Sequence, residues 1–294
     1  MRIDLHTHSS CSDGTVAPRA LVAEARERGL DVVALTDHDS TAGWDEAAEA
    51  AIQHGVDLVR GIEVSTKHDH GGSVHLLAYL PDPTYEPLQR MLARIIDGRD
   101  QRIPRMVARL RSLGIEITEE AVATKAADAA AVGRPHVADV LVDLGAVESR
   151  DQAFADYLTP RGKGYVDRPA PLVDEAIGVV AAAGGVSVIA HPWGREGDRG
   201  LDADELGRLR GLGLTGVEVD HLDHDPEQRR RLRAIASKLD LVVTGSSDFH
   251  GAGKPTHHLG VETTDPEQYE RLLAAAAAAA TASGRDAPQV VRAR

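Results

Sequence analysis

Cysteine is almost absent, with Cys11 alone in 294 residues. That excludes a disulfide framework within the chain and fits a reducing compartment. Aromatic residues make up only 3% of the sequence, so alanine, valine and leucine must fill whatever core forms. No apolar run approaches a membrane span, and no charged segment followed by an apolar stretch opens the chain. A cytoplasmic protein without membrane contact is therefore expected. Positive charge is also short, 33 basic against 46 acidic residues, for a formal net charge of −13. A surface devoted to coating nucleic acid, duplex DNA above all, is not expected. A local cationic pocket is still allowed.

Histidine is the residue in excess, with 14 copies. The first two stand in "MRIDLHTHSSCSDG", where Ile3 and Leu5 alternate with polar neighbours and residues 2–8 read as a strand. Successive strand side chains point to opposite faces, so His6 and His8 emerge together, about 7 Å apart at Cα. That spacing lets two imidazoles reach one small ion. A lone H-x-H on a solvated strand is common, so later segments must decide.

Strand-like runs alternate with capped helices. The runs at 31–39, 55–65, 72–80, 184–192, 214–221, 240–250 and 257–263 are separated by helical patterns at 18–28, 42–54, 172–183, 202–212, 226–238 and 265–283. Residues 67–72, "KHDHGG", read as a hairpin connection. Asp225-Pro226 and Asp265-Pro266 each supply an N-cap followed by proline at the first helical position. This alternation predicts an α/β fold with a largely parallel sheet, open or closed into a barrel. Residues 87–165 show helical spacing and almost no strand signal, so they read as a helical insertion between 1–86 and 166–294, with 160–171 as the returning linker.

The polar singularities fall at or beside the ends of apolar runs: His6, His8, Asp13, Asp37, His38, Glu63, His75, His191, Asp248 and His250. Parallel α/β sheets and barrels build their sites at that edge. Each residue has a structural explanation of its own. His38 could serve a turn, Glu63 a solvated strand end, His191 a cap ahead of Pro192, and Asp248 a helix cap. Together they would be costly to pack without partner charges, and bound dications remove that cost. His54 suits a helix C-terminus; His68 and His70 are expected to be solvated in the hairpin turn. His257 and His258 are expected to be structural, and His221 and His224 stand outside the expected set.

In their order, "HTHS…SDG", "TDHD", "GIE", "AHP" and "SDFH" resemble the polymerase and histidinol phosphatase (PHP) family. The resemblance implies a distorted (β/α)7 barrel with a two- or three-metal centre on the C-terminal side of its strands. It also implies the metal ligands: His6, His8, Glu63 and Asp248 for one ion, Glu63, His75 and His191 for a second, and Asp13, His38 and His250 for a third. Within the family, "GRDQRIPRM" and "GRPHVADVLVDLG" are similar to small phosphatases acting on nucleoside 3′,5′-bisphosphates and nucleoside monophosphates, whose relatives trim short RNA from the 5′ end. The matching residues are Arg99, Arg102, Arg134 and His136.

The insertion points the same way by its own pattern. Along 88–113, Arg99 takes a position in the apolar stripe between Ile95 and Ile103, with Arg102 a turn away and Pro104 expected to kink the helix just beyond. The helix is basic all round, which weakens the signal. Arg134-Pro135-His136, at an apparent helix start, can present a guanidinium and backbone amides to phosphate.

Imidazole and carboxylate donors without thiolate suit Mn²⁺ first, then Fe²⁺ or Zn²⁺. The expected activity is a metal-dependent phosphomonoesterase acting on a small nucleotide with water activated by the ions. His191 would protonate the leaving oxygen, and Asp37 would orient a ligand. Alternatives are a histidinol-phosphate phosphatase and a 5′–3′ exoribonuclease on short RNA. A non-catalytic metal module is disfavoured because every proposed ligand position is filled. Amidohydrolase-like C–N hydrolysis is disfavoured because no lysine is placed as a carboxylated bridge.

Overall fold

Seven short strands form one sheet in sequential order: β1 (Ile3–Asp4), β2 (Val32–Leu35), β3 (Asp57–Lys67), β4 (Ser73–Tyr79), β5 (Val186–Ile189), β6 (Gly216–Asp220) and β7 (Val242–Gly245). Neighbouring strands are parallel except that β4 runs against both β3 and β5. The few residues between β3 and β4 are too short for a crossover, so these strands pair as a hairpin. Beyond β1 and β7, Thr7 bridges Phe249 in parallel and the His8 N–H donates to Phe249 O at 2.8 Å. The first and last strands thus meet, and the sheet nearly closes into the expected barrel.

In this computed structural model, the described residues are 1–69, 72–126, 133–159, 161–167, 170–194 and 201–293. His70 and residues 160, 168 and 169 of the expected linker lie outside them. The chain forms two compact units, Met1–Leu92 with Pro171–Arg294, and Ala93–Ala170. The helices are α1 (Pro18–Glu27), α2 (Trp44–His54), α3 (Glu86–Asp100), α4 (Arg102–Ser112), α5 (Glu119–Lys125), α6 (Arg134–Asp143), α7 (Arg150–Ala153), α8 (Val173–Ala182), α9 (Ala203–Gly211), α10 (Pro226–Lys238) and α11 (Pro266–Ser283). Among the described residues, no helix is long and apolar enough to cross a membrane. Asp225 and Asp265 cap α10 and α11 through Gln228 N and Glu267 N, each at 2.8 Å, and proline follows each cap.

In the first unit, Ile3, Leu5, Val32, Ala34, Val188 and Val242 pack with Tyr269, Leu272 and Ala276 of α11. With so few aromatics, Tyr79 and Tyr269 are the largest fully buried side chains among the described residues, and the Tyr79 hydroxyl donates to Leu5 O at 2.8 Å. The second unit has its own core, including Met106, Leu110, Val122, Val137, Leu141 and Leu158. This compact unit shares residues 93–165 with the expected insertion, 87–165, and α3 runs unbroken through its first boundary.

Two local expectations need correction. Residues 257–263 form no strand. Gly260 turns the chain at φ 71°, its N–H donates to Asp4 Oδ2 at 2.8 Å and its carbonyl accepts from Arg2 at 3.0 Å. Side chains thus take the hydrogen bonds a strand would have used. Pro104 does not kink a continuous helix. The helix breaks at Gln101, and Pro104 sits in the first turn of α4, where its missing N–H costs nothing.

Candidate metal centre

Alternation along the first strand sends Ile3 and Leu5 into the apolar core and turns Asp4, His6 and His8 to the opposite face. Thr7 between them is tied to β2, its N–H donating to Thr36 Oγ1 at 3.1 Å and its hydroxyl to Ala34 O at 2.6 Å. The next turn carries Asp13. Gly14 closes it where an added Cβ would lie 2.5 Å from His8 O, so a side chain there would displace the backbone. Asp37 holds the same turn, accepting from Ser9 N at 2.7 Å, Ser9 Oγ at 2.6 Å and Ser12 Oγ at 2.7 Å. Its carboxylate thus holds the loop that presents Asp13, one of the expected ligands.

Asp39 does similar work at the end of β3, accepting from Ser65 N at 2.7 Å and Ser65 Oγ at 2.8 Å. His38 and Glu63 are bridged in parallel, which brings the ends of two strands level. His75 stands near the start of β4, not at a strand's C-terminal end. Because β4 is reversed, its beginning lies at the edge where the parallel strands finish, and His75 pairs with Ser65. His191 and Asp248 follow β5 and β7 with positive φ of 29° and 51°. For residues with a Cβ, such conformations cost about 1–3 kcal/mol each and persist where surrounding contacts enforce them.

These segments converge. His6 Nε2 and His8 Nε2 stand 3.0 Å apart. Glu63 Oε2 is 3.3 and 3.1 Å from them, and Asp248 Oδ1 is 3.7 and 3.5 Å away. Four donors on a tetrahedral ion with 2.1 Å bonds would lie about 3.4 Å from one another. A second set gathers on the other side of Glu63, with His75 Nδ1 at 2.8 Å and His191 Nε2 at 3.2 Å from Oε1, and His38 Nδ1 at 3.1 Å from Oε2. A third surrounds Asp13, with His250 Nε2 at 3.3 Å, His8 Nδ1 at 3.6 Å and His38 Nε2 at 3.6 Å.

The nitrogens of His8 (Nδ1), His38 (Nδ1) and His75 (Nδ1) are buried without a hydrogen-bond partner among the described residues, although carboxylate oxygens lie near. Imidazole nitrogens and carboxylate oxygens that approach without hydrogen-bond alignment fit a centre built to hold divalent cations.

The electrostatics agree with that chemistry. Burial alone would raise Glu63 and Asp248, but the histidines around them, with Lys254 beside Asp248, hold both carboxyls well below the usual range. Burial depresses His38 well below an ordinary imidazole. His6 moves the other way, because Glu63, Glu218 and Asp248 outweigh its burial. The site is thus a dense set of ionised carboxylates and imidazoles that stabilise one another.

All nine expected ligand residues lie in this cluster, and several neighbours were not anticipated. Glu218 in β6, wholly buried, meets His6 and His191. Asp4 accepts from Ser247 N and Gly260 N at 3.0 and 2.8 Å, and burial pushes its carboxyl up to about 6. Lys254 pairs with Asp248 Oδ2. His221, His257 and Asp248 also bring donor atoms within 4.8 Å of one another. However, His221 Nδ1 accepts the Asp223 N–H at 3.1 Å, which leaves the proton on Nε2, 3.4 Å from Asp248 Oδ2. The proton on Nε2 disfavours His221 as a ligand through that atom, which is buried without an aligned hydrogen-bond partner among the described residues. His68, expected to be solvated, is buried and pairs with Glu205 Oε1 at 2.8 Å.

In the second unit, Arg99, Arg102, Arg134 and His136 are half-buried. Arg102 donates to Val166 O at 3.3 Å and lies over the Tyr165 ring at 5.5 Å. Arg134 opens α6, donates to Leu158 O at 3.2 Å and lies over Phe154 at 5.8 Å. His136 Nδ1 accepts the Gly133 N–H at 3.0 Å, so its Nε2 carries a proton and is a donor.

The model of the PHP domain family matches residues 4–134. The chain is 34% identical over 258 residues to the 3′,5′-nucleoside bisphosphate phosphatase of Chromobacterium violaceum, covering 88% of this chain and 90% of that protein. It is likewise 34% identical to a 5′-3′ exoribonuclease of Haemophilus influenzae, covering 85% and 90%. Among solved structures, a candidate metal-dependent phosphoesterase from Bifidobacterium adolescentis superposes with a TM-score of 0.76 at 42% identity, covering 93% of this chain and 96% of that one.

Proposed function

This chain belongs to the PHP domain family of metal-dependent phosphoesterases, and from that premise we propose that it releases phosphate from small nucleotides, a nucleoside 3′,5′-bisphosphate or a nucleoside monophosphate. The observation that carries this reading is the quartet of His6, His8, Glu63 and Asp248, in which the two histidines stand 3.0 Å apart and their distances to the carboxylates run from 3.1 to 3.7 Å.

The quartet would hold one ion, Glu63 with His75 and His191 a second, and Asp13 with His38 and His250 a third. Hard oxygen and imidazole donors favour Mn²⁺, with Fe²⁺ or Zn²⁺ able to substitute. When bound, such ions supply Lewis acidity at phosphorus and lower the pKa of water. The residues' own part is positioning. Asp37 holds the loop that carries Asp13 and Asp39 holds β3 beside Glu63, so the donors need not reorganise on binding. His191, with a quarter of its side chain (24%) open to solvent, would pass a proton to a departing alkoxide through Nδ1, the ring nitrogen that does not face Glu63.

Arg99, Arg102, Arg134 and His136 are assigned to the substrate's non-reacting phosphate or base. Two guanidiniums already braced by an aromatic ring and a carbonyl, and an imidazole with its donor nitrogen free of the cap, suit an anion. A second reading, 5′-end trimming of short RNA, is favoured by the identity to the exoribonuclease from H. influenzae.

A substrate panel tests both. Phosphate release should be fastest from nucleoside 3′,5′-bisphosphate or monophosphate and slower from histidinol phosphate and an aryl phosphate. Preference for histidinol phosphate would overturn the nucleotide assignment, and mononucleotide release from short 5′-phosphorylated RNA at a matching rate would favour the second reading.

A further inference from the structure

Glu218 lies behind the metal-facing rim, in the middle of β6. Its neighbours Val217 and Val219 turn to the opposite face, and the strand has a register irregularity between Glu218 and Asp220. Bulges of this kind re-aim a side chain. The carboxylate is fully buried, and both of its oxygens are used. Oε1 lies 3.3 Å from His6 Nδ1 and accepts from the Ser246 hydroxyl, while Oε2 accepts the His191 N–H at 2.8 Å. The His6 contact is to Nδ1, the ring nitrogen opposite the Nε2 that faces His8, Glu63 and Asp248.

We propose that Glu218 is a positioning residue, not a metal ligand, and that it sets two parts of the centre at once: the proton on His6 Nδ1 and the backbone of His191. An anion at His6 Nδ1 requires a proton there, which leaves the Nε2 lone pair available to an ion. The other oxygen holds the amide of a residue whose φ of 29° needs an outside restraint. One buried carboxylate therefore couples a donor of the first expected ion site to a donor of the second. Glutamine could not replace it fully, because its NH₂ would face one of the three donors that now converge on Glu218.

This role rests on the metal-centre reading above, and the test separates the two. Mn²⁺ binding is measured for the wild type and Glu218→Gln by equilibrium dialysis, alongside circular dichroism. Wild-type protein carrying Zn²⁺ is examined by ¹⁵N-correlated NMR of its histidine rings. The wild type should bind Mn²⁺ and show a slowly exchanging proton on His6 Nδ1. Glu218→Gln should keep its secondary structure, bind Mn²⁺ about 10- to 100-fold more weakly and shift or lose that proton signal. Unchanged Mn²⁺ affinity in a folded Glu218→Gln would overturn the proposal, as would a wild-type spectrum with the His6 proton on Nε2. Should the variant fail to fold, the wild-type spectrum alone decides. Absence of Mn²⁺ binding by the wild type would instead sink the metal centre itself, and this role with it.

Discussion

Glu63 and His38 meet twice: their backbones pair in a parallel bridge, and Glu63 Oε2 lies 3.1 Å from His38 Nδ1. The sheet itself therefore places the carboxylate that five imidazoles share. Glu63→Gln keeps the shape and removes the charge. It should lower phosphatase activity by more than about 100-fold, the upper range for residues that only support a ligand, and reduce bound metal in the same preparation. Near wild-type turnover with normal metal content would count against the shared role.

Asp248 joins the histidine pair through one oxygen and meets His221 and Lys254 through the other. Asp248→Ala should abolish phosphate release and lower bound metal. It should also destabilise the metal-free protein by about 3–5 kcal/mol in denaturant titrations, since buried cationic partners lose their anion. Full turnover in a metal-free variant would contradict this account.

Among the described residues, the Asp37 side chain hydrogen-bonds to Ser9 and Ser12 of the turn that presents Asp13. Asp37→Ala should therefore loosen the Asp13, His38 and His250 group and spare the quartet. Metal analysis is expected to find about one equivalent fewer than in the wild type, in the spirit of supporting partners that tune affinity by 10- to 100-fold. Loss of every ion at once would assign Asp37 a wider role.

Arg99→Ala and Arg134→Ala should each cost nucleoside bisphosphate turnover about 10- to 100-fold, the value of a hydrogen bond to a charged group, with little effect on an aryl phosphate. Equal losses on both substrates would remove these residues from substrate recognition.

Arg208 ties α8 to α9 through Asp174 at 2.6 Å and Glu205 at 2.7 Å, and Glu205 also meets the buried His68. Arg208 holds both carboxyls below their usual range. Depressed folded-state values contribute stability above the unfolded carboxylate pKa and lose it as pH falls through the folded ones. Arg208 and Asp174 are nearly half exposed, so the contribution is about 1 kcal/mol or less. Arg208→Ala should shift the acid-unfolding midpoint slightly upward and leave stability at pH 7 within about 1 kcal/mol.

The α/β alternation was legible in the sequence because each strand ends in a cap or turn and the hydrophobic period changes from two to 3.6; its closure into a barrel was implied by the family resemblance. Its single reversed strand was legible in the short hairpin. The metal-facing residues stood out because histidines and acids gathered at one strand edge. Glu218 did not, because a lone glutamate between two valines reads as one more solvated strand position until β5 and β7 close around it. Asp4 and Asp39 were hidden in the same way, since their partners are backbone amides far along the chain. The segment 257–263 misled because its apolar residues alternate like a strand, whereas Arg2 and Asp4 claim its hydrogen bonds.

The central claim is that strand ends gather divalent ions on which phosphate release depends. The most direct test is phosphate release from a nucleoside 3′,5′-bisphosphate by protein purified without chelator, with its metal content, before and after chelation and Mn²⁺ return. Two or three bound ions, activity lost on their removal and restored by Mn²⁺, are the predicted result. Undiminished turnover by the ion-free protein would contradict it.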